Sequence, residues 1–337
     1  MELGRSEYSE KAQIAINNFL PRLGKRKTID TITDGLSSRP KQISSMFLYD
    51  TTGSNLFSQI TRLPEYYLTR IEMALLQQLA PKIIGLCGRG SDIVELGSGE
   101  CRKISLLFDC ASQSALHSLR YVPVDINPEE IKKSVGMLIT KYRGIQVCGV
   151  VADYTQQFEL IPRDRDRLIC FLGSTIGNLT DDMRRGFLMK IAQSMAPGDR
   201  FLVGMDMVKA PYLLEKAYND SANVTALFNK NILNVVNSLA ATDFDLSRFE
   251  HVAFYNTEYS RIEMHLRALE NMTVSSPRIG QRFTIKKGEL IHTENSRKFR
   301  PEKTAEELHS AGFTIDSVVM DSNRWYSLYL LSKSGTV

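Results

Sequence analysis

The sequence predicts an α/β fold: an open sheet of seven strands, parallel through the first five and closed by a terminal hairpin, with a second α+β lobe inserted ahead of that hairpin. Three observations carry this reading. Apolar runs of strand length recur through the middle third of the 337 residues, separated by segments with helical spacing of apolar positions. The rhythm breaks near Val208. It returns only towards the end, where the apolar runs Phe313 to Met320 and Trp325 to Ser332 are joined by the turn-prone Asp321-Ser322-Asn323.

The first strand, Ile93-Val94-Glu95-Leu96, runs directly into the glycine-rich turn Gly97-Ser98-Gly99-Glu100. Glycine lets backbone approach a ligand closely. The second, Tyr121-Val122-Pro123-Val124-Asp125-Ile126, brings Asp125 to the carboxyl end of its strand, where an acid can accept hydrogen bonds from both hydroxyls of a ribose. The turn continues Glu100-Cys101-Arg102-Lys103 and lacks the third glycine of a dinucleotide fingerprint, so a pyrophosphate is not supported. An adenosine ligand without phosphates, such as S-adenosylmethionine, needs the ribose acid but no anion-binding helix start. Val147 to Asp153, Arg167 to Gly173 and Arg200 to Asp206 supply the third, fourth and fifth strands. Between strands, Pro128 to Tyr142 and Thr180 to Met195 have helical periodicity, the second opened by the capping run Thr180-Asp181-Asp182.

Composition narrows the function classes. The formal charge is +4, and Lys and Arg are scattered rather than gathered into a stripe, so nucleic acid is not the expected partner. The five cysteines, Cys87, Cys101, Cys110, Cys148 and Cys170, include no CxxC pair. They read as reduced, mostly buried thiols of a cytoplasmic protein, with neither a metal site nor a disulfide framework. No secretion signal opens the chain, and no run approaches the roughly 20 apolar residues of a membrane span.

Residues 208 to 296 form the insertion, helix-rich over Leu213 to Ala240 and strand-like over His251 to Leu266 and Gln281 to His292. We expect residues 1–71 plus 208–296 to build a substrate-binding lobe, and 72–207 plus 297–337 the cofactor-binding domain. Ligand sites favour places where lobes meet the carboxyl ends of strands, so the active site is expected to be shared.

Six motifs then appear in order: Tyr49-Asp50-Thr51-Thr52-Gly53-Ser54; Ile60-Thr61-Arg62-Leu63-Pro64-Glu65-Tyr66-Tyr67; Phe171-Leu172-Gly173-Ser174-Thr175-Ile176-Gly177-Asn178; Ala217-Tyr218-Asn219-Asp220 with Phe228-Asn229; Arg261-Ile262-Glu263-Met264; and Thr293-Glu294-Asn295-Ser296 with Lys298-Phe299. Together they resemble the histidine Nα-methyltransferases of ergothioneine biosynthesis, from about Tyr49 onward. The resemblance implies a Rossmann-like class I methyltransferase sheet and S-adenosylmethionine as cofactor. Its pattern assigns Gly97 and Lys103 to the methionine portion, Asp125 to the ribose and Asp153 to the adenine amino group, with Tyr154 stacking near the base where the family often carries Phe.

For the substrate, free L-histidine, the resemblance places Tyr49 and Tyr218 on the carboxylate, Asn178 on the amine and Tyr66 close to both ligands. Tyrosine hydroxyls donate to a carboxylate without adding a cation that would repel a trimethylammonium product. Glu294 and Ser296 are assigned to the two imidazole nitrogens, with Met264 packing nearby. Read locally, Glu294 could instead be a surface strand acid paired with Lys298, Asp153 a turn acid, and Asn178 a turn residue. The implied reaction is stepwise methylation of the α-amine to the trimethyl product, by a monomer. The same fold acting on an indole amino acid, a nucleic-acid methyltransferase and a non-catalytic sensor of S-adenosylmethionine or an amino acid are the alternatives. Glu294 and Ser296 favour histidine, and a sensor has no reason to keep Asn178 and Tyr218 together.

Overall fold

The structure is a computed structural model that describes residues 14–20, 25–88 and 90–335. In chain order its strands are β1 (Ile14–Asn18), β2 (Lys41–Gln42), β3 (Asp92–Leu96), β4 (Arg120–Asp125), β5 (Gln146–Val151), β6 (Arg167–Phe171), β7 (Arg200–Asp206), β8 (Phe249–Asn256), β9 (Arg261–Ala268), β10 (Met272–Ser276), β11 (Gln281–Ile285), β12 (Leu290–Arg297), β13 (Phe313–Met320) and β14 (Tyr326–Lys333). The chain divides into two compact units. One comprises Met1–Leu20, Arg70–Val208 and Phe299–Val337, the other Pro21–Thr69 and Lys209–Lys298.

The first unit is built on an eight-stranded sheet in the order β1-β5-β4-β3-β6-β7-β14-β13. Strands β1, β5, β4, β3, β6 and β7 pair in parallel, and β14 runs antiparallel to both β7 and β13. Strands β3 and β6 are buried at every residue, the expected state of central parallel strands covered on both faces, and this is why they read as unbroken apolar runs. Val94, Leu96, Val122, Val124, Ile169, Phe171, Phe201 and Val203 lie in one core cluster. From β3 the strand order proceeds to β4 and β5 on one side, then to β6 and β7 on the other, so the topological switch point falls between β3 and β6. The intervening helices start where their caps dictate: Asn127 accepts from the Glu129 and Glu130 amides ahead of Pro128–Lys141, and Thr180 accepts from the Met183 amide ahead of Asp181–Ser194.

The N-terminal strand departs from the expectation that residues 1–71 all belong with the inserted lobe. Ile14 to Asn18 pair in parallel with Val147 to Val151 and add an eighth strand at the sheet edge. Gly149 makes room for this pairing, because a Cβ there would lie 3.2 Å from Ile16 Cγ1 and 2.9 Å from Ile131 Cγ2. At the other boundary, Arg297 ends β12 and Lys298 belongs to the second unit.

The second unit holds a four-stranded sheet in the order β2-β12-β9-β8, a separate β10-β11 hairpin, and helices that include Thr51–Ile60, Pro211–Tyr218 and Val224–Ala240. Strand β12 pairs antiparallel with β9, and the register shifts between His292 and Glu294, leaving Thr293 as the extra residue of a bulge. The bulge is pinned from below. The Thr293 hydroxyl shares its one proton between Asn229 Oδ1 at 2.6 Å and the Met264 carbonyl at 3.0 Å, and Asn229 donates to the His265 carbonyl at 3.0 Å.

Candidate active site

In the first unit the predicted cofactor residues line up along the carboxyl ends of adjacent strands, Gly97 after β3, Asp125 closing β4 and Asp153 just beyond β5. Gly97 and Gly99 both occupy the left-handed region, with φ of 70° and 48°. Nothing lies within 4 Å of a Cβ built at Gly99, and the nearest atom to one at Gly97 is the Tyr154 hydroxyl at 3.9 Å. The turn is therefore an open cradle with Tyr154 across from it. The Ser98 hydroxyl at its centre is buried without a protein partner, and a buried polar atom of that kind calls for a hydrogen-bonding ligand. These features fit the polar end of S-adenosylmethionine.

Asp125 is half-buried and accepts from the Asn127 amide at 2.9 Å. Burial raises its pKa, and the amides of Asn127 and Gly99 work against that rise. Asp153 is engaged locally as well. Its carboxylate accepts from the Thr155 amide at 3.0 Å, the Thr155 hydroxyl at 2.6 Å and the Gln156 side chain at 2.7 Å, which leaves part of a four-lone-pair group for a ligand. Tyr154 packs its ring edge-on against Phe171 at 5.6 Å and tilted against Phe187 at 6.0 Å.

Two buried acids in this region escaped the sequence reading. Glu72, on helix Tyr67–Leu86 and 1% exposed, accepts from the Gly173 amide and the Tyr326 hydroxyl through Oε1, each at 2.7 Å. Its Oε2 lies 2.7 Å from Lys103 Nζ, an ion pair by distance without the alignment of a hydrogen bond. Lys103 also sits 2.8 Å from the position a Cβ would take on Gly173. The lysine is thus held beside the switch point, between the loops that follow β3 and β6. Glu95, on β3, accepts from the Tyr121 hydroxyl at 2.6 Å, and that hydroxyl lies 3.2 Å from Cys101 Sγ. Burial pushes the Glu95 carboxyl up to about 8 and, with the Glu95 charge beside it, the Cys101 thiol up to about 12, so this thiol stays protonated and unreactive at neutral pH.

In the second unit, most of the residues assigned to the amino acid converge. Tyr49 donates to Glu294 Oε1 at 3.3 Å, and Tyr218 donates to Ser296 Oγ at 2.7 Å. Tyr66 meets Tyr218 edge-on at 6.2 Å, while Phe57 and Phe228 pack around Tyr49 at 5.7 and 5.6 Å. Met264 is the cross-strand partner of Glu294. Beyond the Thr293 bulge, β12 buries Glu294 and Ser296 and leaves Asn295 and Arg297 half-buried. Glu294 is no surface acid: at 6% exposure, burial raises its carboxyl to about 7 against the opposing influence of Tyr49 and Lys298.

Lys298 corrects the expectation that no cation adjoins these tyrosines. It is 1% exposed and donates to Ser296 Oγ at 2.9 Å and to the Tyr218 hydroxyl at 3.1 Å. Period-two alternation from Glu294 through Ser296 was the signal that could have placed it on the same face. Asn178 lies in the first unit, half-buried at the end of the 3-10 turn Thr175–Asn178 that follows β6. Ser174, in the left-handed region at φ 57°, sets that turn and accepts from the Asp206 amide at 2.9 Å. Among the described residues no group of His, Cys, Asp and Glu could hold a metal ion, and no helix is long and apolar enough to cross a membrane.

The histidine N-alpha-methyltransferase of Mycolicibacterium smegmatis is 42% identical over 278 residues, covering 82% of this chain and 86% of that one. The corresponding enzyme of Mycobacterium tuberculosis is 41% identical over 282 residues, covering 83% and 87%. Ergothioneine biosynthesis protein 1 of Neurospora crassa is 28% identical over 305 residues, which are 88% of this chain and 33% of the larger protein. The model of the S-adenosylmethionine-dependent, histidine-specific methyltransferases matches residues 28–333, and the chain belongs to that family.

Proposed function

We propose that this enzyme methylates the α-amine of free L-histidine stepwise to Nα,Nα,Nα-trimethylhistidine, the first step of ergothioneine biosynthesis. The observation that carries the reading is the buried pair Glu294 and Ser296, two polar side chains on one strand face inside an aromatic cluster, matched to the two nitrogens of an imidazole. A ring that leaves either group unsatisfied pays their desolvation without return.

The chemistry S-adenosylmethionine supplies when bound is an electrophilic methyl carbon on a sulfonium. In our assignment Gly97 admits the methionine portion, Lys103 neutralises its carboxylate, Asp125 accepts from the ribose hydroxyls, Asp153 accepts from the adenine amino group and Tyr154 flanks the base. Tyr49 and Tyr218 are assigned to the histidine carboxylate: Tyr49 exchanges its present bond to Glu294 for it, and Tyr218 stands beside it with its hydroxyl still bonded to Ser296. Asn178 offers a carbonyl that orients the amine lone pair, and Tyr66 closes the reacting region. The amine must enter neutral, losing its proton to water or along the tyrosine hydroxyls. Because positive charge moves from sulfur to nitrogen rather than being created, alignment and exclusion of water supply most of the rate.

Free thiols support a cytoplasmic location, and scattered charge supports action on a small molecule rather than on nucleic acid. The test is release of S-adenosylhomocysteine across free amino acids. Rapid turnover with histidine and little with tryptophan, phenylalanine or tyrosine supports the assignment, and preference for an indole overturns it.

A further inference from the structure

The hydrogen bonds around Ser296 have a direction. An ammonium carries three donors and no acceptor, so Lys298 can only donate, and it does so to Ser296 Oγ at 2.9 Å and to the Tyr218 hydroxyl at 3.1 Å. Tyr218 in turn donates to Ser296 Oγ at 2.7 Å. A serine oxygen has two lone pairs, and these two bonds use both. Its own proton must therefore be given to a third group. Glu294, two residues earlier on the same strand face, receives the Tyr49 hydroxyl on Oε1. When ionised it can only accept.

Resting on the histidine reading above, we propose that Lys298 is a positioning residue that locks the Ser296 hydroxyl as a donor to the substrate ring, so that Ser296 and Glu294 present one donor and one acceptor and select neutral imidazole. Neutral imidazole carries one N–H and one lone pair, the complement of that pair. Imidazolium offers two donors and meets a serine proton beside a buried cation. An indole or pyrrole offers one donor and no acceptor, which strands the serine proton in a buried site. Without Lys298 a serine lone pair is released. The hydroxyl can then turn to accept from a ring N–H, and discrimination weakens.

The test uses three amino acids: L-histidine, 2-pyrrolylalanine, whose ring only donates, and 4-thiazolylalanine, whose ring nitrogen only accepts. Relative kcat/KM and calorimetric affinity in the presence of S-adenosylhomocysteine are measured for wild type, Lys298→Met, Ser296→Ala and the double variant. The wild type is expected to favour histidine over pyrrolylalanine by about 100-fold or more. Lys298→Met should cut that ratio at least about tenfold, falling on KM more than on kcat, while the histidine to thiazolylalanine ratio, which reports Glu294, stays within about threefold. The double variant should show no further fall, because both substitutions remove one device. Equal losses on all three substrates, or multiplying effects in the double variant, overturn the proposal. Where Lys298→Met does not fold, Ser296→Ala must still collapse the pyrrolylalanine ratio and Lys298→Arg must keep it; failure of either overturns the proposal equally. A wild type inactive on histidine but active on another amino acid overturns both the histidine reading and this one. A wild type active on histidine with unmoved ratios overturns this one alone.

Discussion

Glu72 lies 2.7 Å from Lys103 and, through its other oxygen, accepts from the Gly173 amide and the Tyr326 hydroxyl. One buried acid thus fixes the lysine, the loop after β6 and strand β14 at the end of the sheet where the methionine carboxylate is assigned. Its removal strands a buried amide and a buried hydroxyl. Glu72→Ala is expected to lower stability by about 2–4 kcal/mol in urea denaturation and to weaken S-adenosylhomocysteine binding in calorimetry. Glu72→Gln keeps one acceptor oxygen and should cost less stability; unchanged cofactor affinity in both variants would separate Lys103 from the methionine carboxylate.

Gly97 separates backbone strain from ligand contact. Its φ of 70° makes any side chain strained, yet the nearest atom to an added Cβ is 3.9 Å away, so no protein clash follows. Gly97→Ala should cost about 1–2 kcal/mol of stability. Its effect on S-adenosylhomocysteine affinity should be larger, because the methyl group projects into the cradle. An affinity loss no greater than the loss in stability would argue that the ligand keeps clear of this turn.

The Glu294 carboxyl, raised by burial from 4.5 to about 7, makes stability depend on pH with a defined sign. Between those values the folded state holds a proton that the unfolded chain has lost, so stability falls as pH rises through that window, by on the order of 3 kcal/mol from this group. Glu95, raised to about 8, adds a slope of the same sign that reaches higher pH. Glu294→Gln should remove the first share and leave the second, as read from urea midpoints at pH 5, 6, 7 and 8. Histidine affinity should tighten as Glu294 ionises through pH 7, and the substitution should flatten that rise. Glu294→Ala should weaken histidine while relatively favouring apolar aromatic amino acids.

The proton path can be read from two tyrosines. Tyr66→Phe and Tyr218→Phe remove hydroxyls without changing the aromatic packing at 6.2 Å between the rings. If these hydroxyls carry the amine proton, kcat at saturating histidine falls and its dependence on pH shifts. Unchanged kcat across pH in both variants assigns the proton to solvent.

The sheet was legible because central parallel strands are buried on both faces and announce themselves as apolar runs ending at glycine or an acid. The edge strand Ile14–Asn18 was not legible, since its pairing depends on the bare backbone of Gly149, far away in sequence. Glu72 looked like one more helix acid. The hint was Gly204 inside β7, where a side chain would collide with the Glu72 carboxylate and the Tyr326 hydroxyl. Glu294 and Ser296 could be named from their motif, but the Thr293 bulge that aims them and the burial of Lys298 are tertiary facts.

Mass spectrometry of a reaction containing the enzyme, S-adenosylmethionine and a mixture of free amino acids tests the central claim most directly. The account predicts successive gains of about 14, 28 and 42 mass units on histidine and on no other amino acid. Methylation of tryptophan or another residue in preference to histidine, or arrest after the first addition, would contradict it.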